Sequence, residues 1–395
     1  MSQTKSNQCV VARDVESPEI TSAQRIPASN TFALRTGYVE TAGLEALLKA
    51  SPSNFLGVVR HDRNSKEPSG VGACPVVCLD MPQLNGPPLA EVWMSSLPVA
   101  YHQAKGFQCA MNDEVLFGAL QLEESPGTLL DAVTYNAYRR LLVQVRALGY
   151  PHLLRVWNYF PHINRESNGL ERYKRFCAGR HQALAEGLWD FPRTLPAATA
   201  VGTMSGPLKI HFLAARQSGT HVENPRQVSA YDYPRVYGPR SPSFARATLR
   251  TSVSGSHLLI SGTASVVGHV SEHTGAPQKQ TMEIVRNLNA LIAHTELLHG
   301  VTRGQWYGQA LLKIYIRHPE HFATVRDILK DQLPSHIQVL YLQGEMCRRE
   351  LLLEVEGILG HEKNINSASQ AVSSARVRLQ QPASSQHAQA DSFNV

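Results

Sequence analysis

Two stretches of the chain repeat the same order of secondary-structure patterns, and this duplication constrains the fold more than any other feature. The first opens at Gly106-Phe107-Gln108-Cys109-Ala110 and enters a strand pattern over 114–120. A helical pattern follows over 129–148, with Leu130, Val133, Ala137, Leu141 and Val145 spaced by three and four. A strand (153–159), a helix (170–186) and a strand (208–214) complete it. The second opens at Ser243-Phe244-Ala245-Arg246-Ala247. It continues through a strand (257–263), a helix (280–298), a strand (310–316), a helix (319–332) and two strands (337–342 and 350–355). Leu153-Leu154-Arg155-Val156 lies over Leu311-Leu312-Lys313-Ile314. The common order, β-β-α-β-α-β-β, predicts an α+β fold of tandem units, mostly antiparallel, with helices on one face of each sheet. The other face must be covered by a neighbouring unit, which places ligand clefts between units. Residues 31–105 hold strand patterns at 55–60, 74–80 and 90–95 but no matching helix pair, and read as a degenerate third copy.

These units account for about residues 31–360. Residues 1–30 are polar and patternless, a flexible arm. Residues 361–395 are rich in Ser, Gln and Ala, with Phe393 their one aromatic. Such a tail has too little apolar surface to offset its ordering entropy and is expected to be disordered. The boundaries so drawn are a degenerate unit (31–105), a central unit with a linker (106–240) and a C-terminal unit (241–360). Apolar residues make up 43% of the chain and charged residues 18%, which excludes a wholly disordered or fibrous protein. No apolar run approaches the roughly 20 residues that span a bilayer. The first thirty residues, with Lys5, Asp14 and Glu16, lack the apolar core of a signal peptide. Both point to a cytoplasmic protein without a membrane partner.

Several chemistries find no support. The chain has no P-loop, no G-x-G-x-x-G after a strand, no G-x-S-x-G elbow and no H-E-x-x-H. Cys9, Cys74, Cys78, Cys109, Cys177 and Cys347 form no C-x-x-C pair. Cys74 and Cys78 lie in an apolar run (71–79) that reads as a buried strand. His269 and His273 are four apart, but no third ligand suggests itself, and the other histidines are expected at the surface. No metal and no cofactor is implied. The net charge of +6 suits a nucleic acid or a small anion alike. The arginines do not gather on one helix or sheet face, and acidic residues are interleaved, which argues against nucleic acid.

Polar and aromatic residues concentrate in three segments. One is Trp157-Asn158-Tyr159-Phe160-Pro161-His162-Ile163-Asn164-Arg165, followed by Glu171, Arg172 and Tyr173. The second is the linker, with Arg226, Arg235, Arg240 and Arg246 among Tyr231, Tyr233 and Tyr237 and four prolines. A solvated linker needs no such density of Arg and Tyr. Arginine forks bind carboxylates in pairs of hydrogen bonds and tyrosine hydroxyls orient them, so a dicarboxylate is the expected ligand. The third is Gly344-Glu345-Met346-Cys347-Arg348-Arg349-Glu350, leading into the last strand. Alternation there puts Leu351, Leu353 and Val355 on one face and Leu352, Glu354 and Glu356 on the other. If the second face lines a cleft, burial and the like charge of Glu356 would both raise the proton affinity of Glu354, as a general acid requires.

Taken in order, these segments resemble the chorismatase family. The likeness rests on W-N-Y-F-P-x-I-N (157–164), N-P-R-Q-V-S-A-Y (224–231), Y-G-P-R-S-P-S-F-A-R-A (237–247), S-G-T-A-S-x-V-G-H (261–269) and G-x-x-C-R-R-x-L-L-x-E (344–354). It covers about residues 30–360. The resemblance implies three fused Rid-like (chorismate-mutase-like) units in a pseudo-threefold arrangement, a monomeric chain, and an active site between the central and C-terminal units. It implies that Glu354 protonates the enol ether of chorismate and that pyruvate leaves. Arg240, Arg246 and Arg348 become candidates for the substrate carboxylates, with Tyr159, Tyr173 and Tyr237 as hydroxyl partners. Gly262 and Thr263 join the substrate-binding set. Arg165 and Arg226 are further candidates, equally readable as structural. Cys347 resembles the residue of members that form 3- or 4-hydroxybenzoate rather than a dihydroxycyclohexadiene carboxylate. A Rid-like binding protein or deaminase is the rival. Val339 speaks against it, because it stands where Rid proteins carry a carboxylate-binding arginine.

Overall fold

The computed structural model describes residues 33–50, 53–61, 73–104, 106–252, 255–300 and 309–362. The arm expected over 1–30 and almost all of the expected tail lie outside these residues.

The duplication is realised strand for strand. The central sheet comprises β5 (Ala100–Ala104), β6 (Phe107–Met111), β7 (Val115–Leu122), β8 (His152–Pro161), β9 (Ala197–Thr203) and β10 (Leu208–Ala215). Its spatial order is β9-β8-β10-β7-β6-β5. The C-terminal sheet comprises β11 (Thr220–Val222), β12 (Ala247–Ser252), β13 (Gly255–Thr263), β14 (Gln309–Ile316), β15 (Gln338–Gln343) and β16 (Leu353–Glu362). Its order, β15-β14-β16-β13-β12-β11, is the same sequence of equivalent strands. Helices α2 (Leu130–Ala147) and α3 (Arg172–Gly187) serve the central sheet. Helices α4 (Pro277–His299) and α5 (Phe322–Gln332) serve the C-terminal one. The N-terminal sheet is a reduced copy of four strands, β1 (Arg35–Glu40), β2 (Phe55–Arg60), β3 (Val76–Cys78) and β4 (Leu89–Met94), with α1 (Thr41–Ala50). Each sheet has one parallel pair, β2/β3, β8/β9 or β14/β15, and is antiparallel elsewhere. A crossover between parallel strands runs through α3 in the central unit and through α5 in the C-terminal one.

Several details differ from the sequence reading. Strand β9 was not expected, because Ala197-Ala198-Thr199-Ala200-Val201-Gly202-Thr203 is too rich in small residues to show a period. It is held in place by parallel pairing with β8. Strand β1 was also missed. Ala100–Ala104, before the boundary drawn at 105, pairs with the central sheet, and Thr220–Val222, inside the linker, pairs with the C-terminal sheet. The last strand runs to Glu362, two residues into the expected tail, because β13 and β14 flank it along most of its length. Buried histidines are another departure: His61, His211 and His257 are buried rather than on the surface.

The helices cover the outer faces. Side chains of α2 and α3 and the near face of the central sheet make one apolar cluster, including Leu141, Tyr138, Phe160 and Phe176. The C-terminal unit has its own, with Ile284, Leu288, Ile314 and Val355. The inner faces of all three sheets meet in a shared core, where Leu56, Val59 and Trp93 touch Phe117, Trp157 and Tyr159 of the central sheet and Leu259, Tyr315 and Leu342 of the C-terminal one. The second face of each sheet is therefore covered by its neighbours, as the duplication required. Among the described residues no helix is long and apolar enough to cross a membrane.

Candidate active site

Strand β16 places two carboxylates on the inner face of the C-terminal sheet. Leu353 and Val355 point into the helix-side cluster, so Glu354 and Glu356 point the other way. Leu351 and Leu352 depart from the expected alternation. They precede the strand in a turn, so Leu351 enters the shared core and Leu352 the helix-side cluster. Glu354 and Glu356 are 5% and 3% exposed, so neither can rely on water to carry its charge.

Their surroundings differ. Glu356 accepts hydrogen bonds from Arg155 Nη2 (2.8 Å), Trp157 Nε1 (2.9 Å) and Tyr315 OH (3.0 Å), and its Oε1 lies 3.0 Å from Lys313 Nζ. Burial alone would raise its pKa. Lys313 and Arg155 more than offset this, so it is held below the usual carboxylate range. Among the described residues no protein donor bonds the Glu354 carboxyl. Burial, then the charge of Glu356, pushes its pKa up to about 8, against the opposing pull of Arg155 and Arg246. Two carboxyls on one strand face are thus driven apart, one an anion and one an acid at neutral pH, which is how acid and base roles are divided in active sites.

Gly262 makes the position of Glu354 possible. Its Cα faces the Glu354 carboxyl so closely that any Cβ would overlap it, and its N–H donates to Thr199 Oγ1 at 2.9 Å. Thr199 also receives Arg155 Nη2 at 2.5 Å. The acid therefore sits where β13 and β16 of one unit meet β9 of the other.

Glu354 opens into a cavity of about 260 Å³ between the central and C-terminal units. Helix α3 supplies Tyr173, Lys174, Cys177 and Arg180, the linker supplies Tyr233, Tyr237, Phe244 and Arg246, and the turn before β16 supplies Cys347, Arg348 and Arg349. Positive charge is concentrated here and is well oriented. Arg246 Nη2 donates to Val228 O and Tyr233 OH, both at 2.8 Å, and Phe244 flanks its guanidinium at 5.2 Å, leaving buried Nε without a partner. Arg348 Nη1 donates to His269 O (3.0 Å) and Ser271 Oγ (2.9 Å), with its guanidinium 4.0 Å from the centre of the Tyr237 ring. Arg180 is 3% exposed, and its Nε and Nη2 have no hydrogen-bond partner. Buried guanidinium N–H groups without acceptors are costly unless a ligand supplies the acceptors. The Tyr173 phenol is raised well above its usual range by burial, then by Cys177, Cys347 and Glu354. The Cys347 thiol is pushed up to about 12 by burial and by Glu354, so it is a neutral thiol, not a thiolate nucleophile.

Of the residues singled out in the sequence, Glu354, Cys347, Tyr173, Tyr237, Arg246, Gly262 and Arg348 line this cavity. Five do not. Tyr159 is fully buried behind the site, its OH 2.9 Å from Tyr315 OH. Thr263 spends its hydroxyl on Ser261 O at 3.0 Å. Arg226 is tied to α4 by Glu283 (2.6 Å) and Asn287 Oδ1 (3.0 Å). Arg165 is exposed on the turn after β8. Arg240 is exposed and lines a separate groove beside His181 and Gln182. Sequence reasoning missed Arg180 and Thr199, and it named Tyr233 and Phe244 only as members of their segment, not as site residues. A signal for Arg180 was present: Tyr173, Phe176, Cys177 and Arg180 follow helical spacing, which puts an arginine on a buried face. Among the described residues no group of three His, Cys, Asp or Glu could hold a metal ion. His269 instead faces Tyr237 OH at 3.1 Å and His273 faces Glu283 at 3.4 Å.

Comparison with known proteins gives the family. The family described as Chorismatase FkbO/Hyg5-like, N-terminal, matches residues 91–214. A 3-hydroxybenzoate synthase of Streptomyces hygroscopicus is 34% identical over 343 residues, covering 84% of this chain and 99% of the relative. A chorismatase of the same organism is 38% identical over 308 residues, covering 77% and 89%. A chorismatase crystal structure, 35% identical, has a TM-score of 0.75 and covers 84% of this chain and 99% of its own. The chain belongs to the chorismatase family.

Proposed function

We propose that this protein cleaves chorismate to pyruvate and a hydroxybenzoate, 3-hydroxybenzoate and/or 4-hydroxybenzoate, in the cavity between the central and C-terminal units. The observation that carries the reading is the split pair on β16: a buried acid, Glu354, beside a fixed anion, Glu356, facing a cavity lined with arginines. Chorismate brings two carboxylates and an enol ether. Arg180, Arg246 and Arg348 offer donors for the carboxylates. Glu354 gives its proton to the enol ether methylene, a slow carbon protonation that needs a positioned acid. The cation that forms is next to the newly ionised Glu354, with the Glu356 anion behind it, and this negative charge favours it over the neutral ground state. Water or a neighbouring group captures it, and the carbon–oxygen bond to pyruvate breaks. Loss of water from the ring then gives the hydroxybenzoate, so the water captured is returned.

The product assignment is supported by the place of Cys347 and by the name of the 3-hydroxybenzoate synthase relative. As a neutral thiol beside Tyr173, Cys347 shapes the cavity and offers a weak donor. The test is to incubate the protein with chorismate and no added metal, and to resolve the products by chromatography. Pyruvate with 3- or 4-hydroxybenzoate is expected. Pyruvate with a dihydroxycyclohexadiene carboxylate would transfer the protein to the hydrolysing branch. Absence of pyruvate would overturn the reading.

A further inference from the structure

Among the described residues, none before Glu171 lines the cavity, so the N-terminal unit touches no part of the substrate site. Yet it sends one charged side chain into the shared core. Glu91 on β4 is 2% exposed, and its Oε2 lies 2.7 Å from Lys313 Nζ on β14 of the C-terminal unit. Lys313, 3% exposed, reaches Glu356 Oε1 at 3.0 Å with the same ammonium group. The chain of contacts thus runs from the N-terminal sheet, through Lys313, to the anion beside the acid.

We propose that Glu91 is a positioning residue for the reaction, holding Lys313 and, through it, the charge of Glu356 against which Glu354 works as an acid. This deepens the function proposed above and rests on it for the role of Glu354. Isolated, a buried lysine would lose its proton and Glu356 its partner. Burial does act on Lys313 in that sense, but Glu91, Tyr159 and Glu356 outweigh it and keep the amine charged. The titratable and charged groups around the pair come from every element packed against it. Arg155, Trp157 and Tyr159 face it from β8, Tyr315 from β14, Tyr38 from β1, His61 from the end of β2 and His211 from β10. Arg246 faces Glu354 from the end of the linker, Tyr173 from α3 and Cys347 from the turn before β16. Removing the charge of Glu91 leaves the network one negative charge short. Glu354 then ionises at lower pH.

The test compares Glu91→Gln, Glu91→Asp and the double variant Glu91→Gln with Lys313→Met. Two readouts are taken: the alkaline limb of kcat with chorismate, and the carboxyl titration of the ligand-free protein by 13C NMR of labelled glutamate. Glu91→Gln is expected to move the Glu354 titration and the limb down by roughly 0.5–1 pH unit, with KM unchanged within about twofold. Glu91→Asp keeps the charge and leaves both in place. The double variant removes the nearer positive charge as well and moves both upward. It also replaces both partners of the ion pair, which buried sites tolerate better than the loss of one. If Glu91→Gln does not fold, the other two variants still decide. Unmoved titrations in Glu91→Gln or in the double variant, or a loss of kcat there with no movement of the limb, would make Glu91 merely structural and overturn the proposal. The NMR titration needs no substrate. A wild type that releases no pyruvate would therefore sink the proposed function while leaving this network testable.

Discussion

Strands β10 and β16 occupy the same place in two copies of one sheet, yet one carries a stacked imidazole where the other carries the acid. Register makes the equivalence exact to the residue. Trp157 of β8 pairs with His211, and Tyr315 of β14 pairs with Glu354; two positions earlier, Arg155 pairs with Leu213 and Lys313 with Glu356. His211 therefore stands where Glu354 stands, and Leu213 where Glu356 stands. Around His211 the space is filled. Its ring lies 4.7 Å from Trp157, 5.8 Å from Phe117 and 5.6 Å from Tyr159, and Trp93 of the N-terminal unit packs 5.5 Å from Trp157. Around Glu354 the equivalent space is a cavity lined by arginines. Duplication thus supplied two inward-facing positions, and packing closed one. A site needs the polar residue together with an unfilled volume and charges that set its protonation.

The largest effect should come from the open copy. Glu354→Gln keeps the shape and removes the proton, and is expected to cut kcat for pyruvate release by about 10²–10⁴-fold, with the fold intact by circular dichroism. A variant that keeps more than a tenth of the activity would mean that another group protonates the substrate. Next come the cations that distinguish this cavity from the filled one. Arg180→Met is expected to lower kcat/KM by roughly 10–100-fold, the loss of a charged hydrogen bond to a carboxylate. Steady-state kinetics would show it, and an unchanged kcat/KM would remove Arg180 from the substrate site.

A smaller and graded effect is pH dependence. With the Glu354 pKa at about 8, kcat should be level at neutral pH and fall as pH rises through about 8, approaching tenfold per unit. Stability follows the same sign. A carboxyl whose folded pKa is raised binds more protons folded than unfolded between its ordinary value of 4.5 and about 8, so it costs stability progressively as pH rises through that window. Thermal melts at pH 6 and pH 9 should therefore differ less for Glu354→Gln than for wild type.

Much of this comparison was legible in the sequence. The repeated element order, the helices over 129–148 and 280–298, and the sharing of one strand face by Glu354 and Glu356 all follow from periodicity, which survives when an element is long and half-buried. What was not legible has physical causes. Strand β9 is built of small residues with no period, and it contributes Thr199 to the site. Tyr159 and Arg226 have the chemistry of ligand-binding groups, but their partners, Tyr315 and Glu283, lie far along the chain and only folding reveals them. Cavities have no sequence signature, which is why His211 and Glu354 could not be told apart by type of position.

The smallest effect on activity should come from the closed copy, and it is the sharpest check on the comparison. His211 is fully buried, and neither ring nitrogen has a hydrogen-bond partner among the described residues. Burial, then Lys313 and His61, holds its pKa well below the ordinary value of 6.5. A histidine kept neutral in the folded state is protonated in the unfolded chain once pH falls below that ordinary value, so it weakens the fold progressively toward acid pH. Replacing it by leucine removes an unsatisfied polar group and that proton-linked penalty together, at the cost of stacking contacts with Trp157 and Phe117. His211→Leu is therefore expected to keep kcat within about twofold and to narrow the gap in melting temperature between pH 7 and pH 5, with His61, His181, His221 and His257 contributing to the gap that remains. A tenfold loss of turnover would show that the central copy still takes part in the reaction, and the equivalence of a filled and an open site would have to be abandoned.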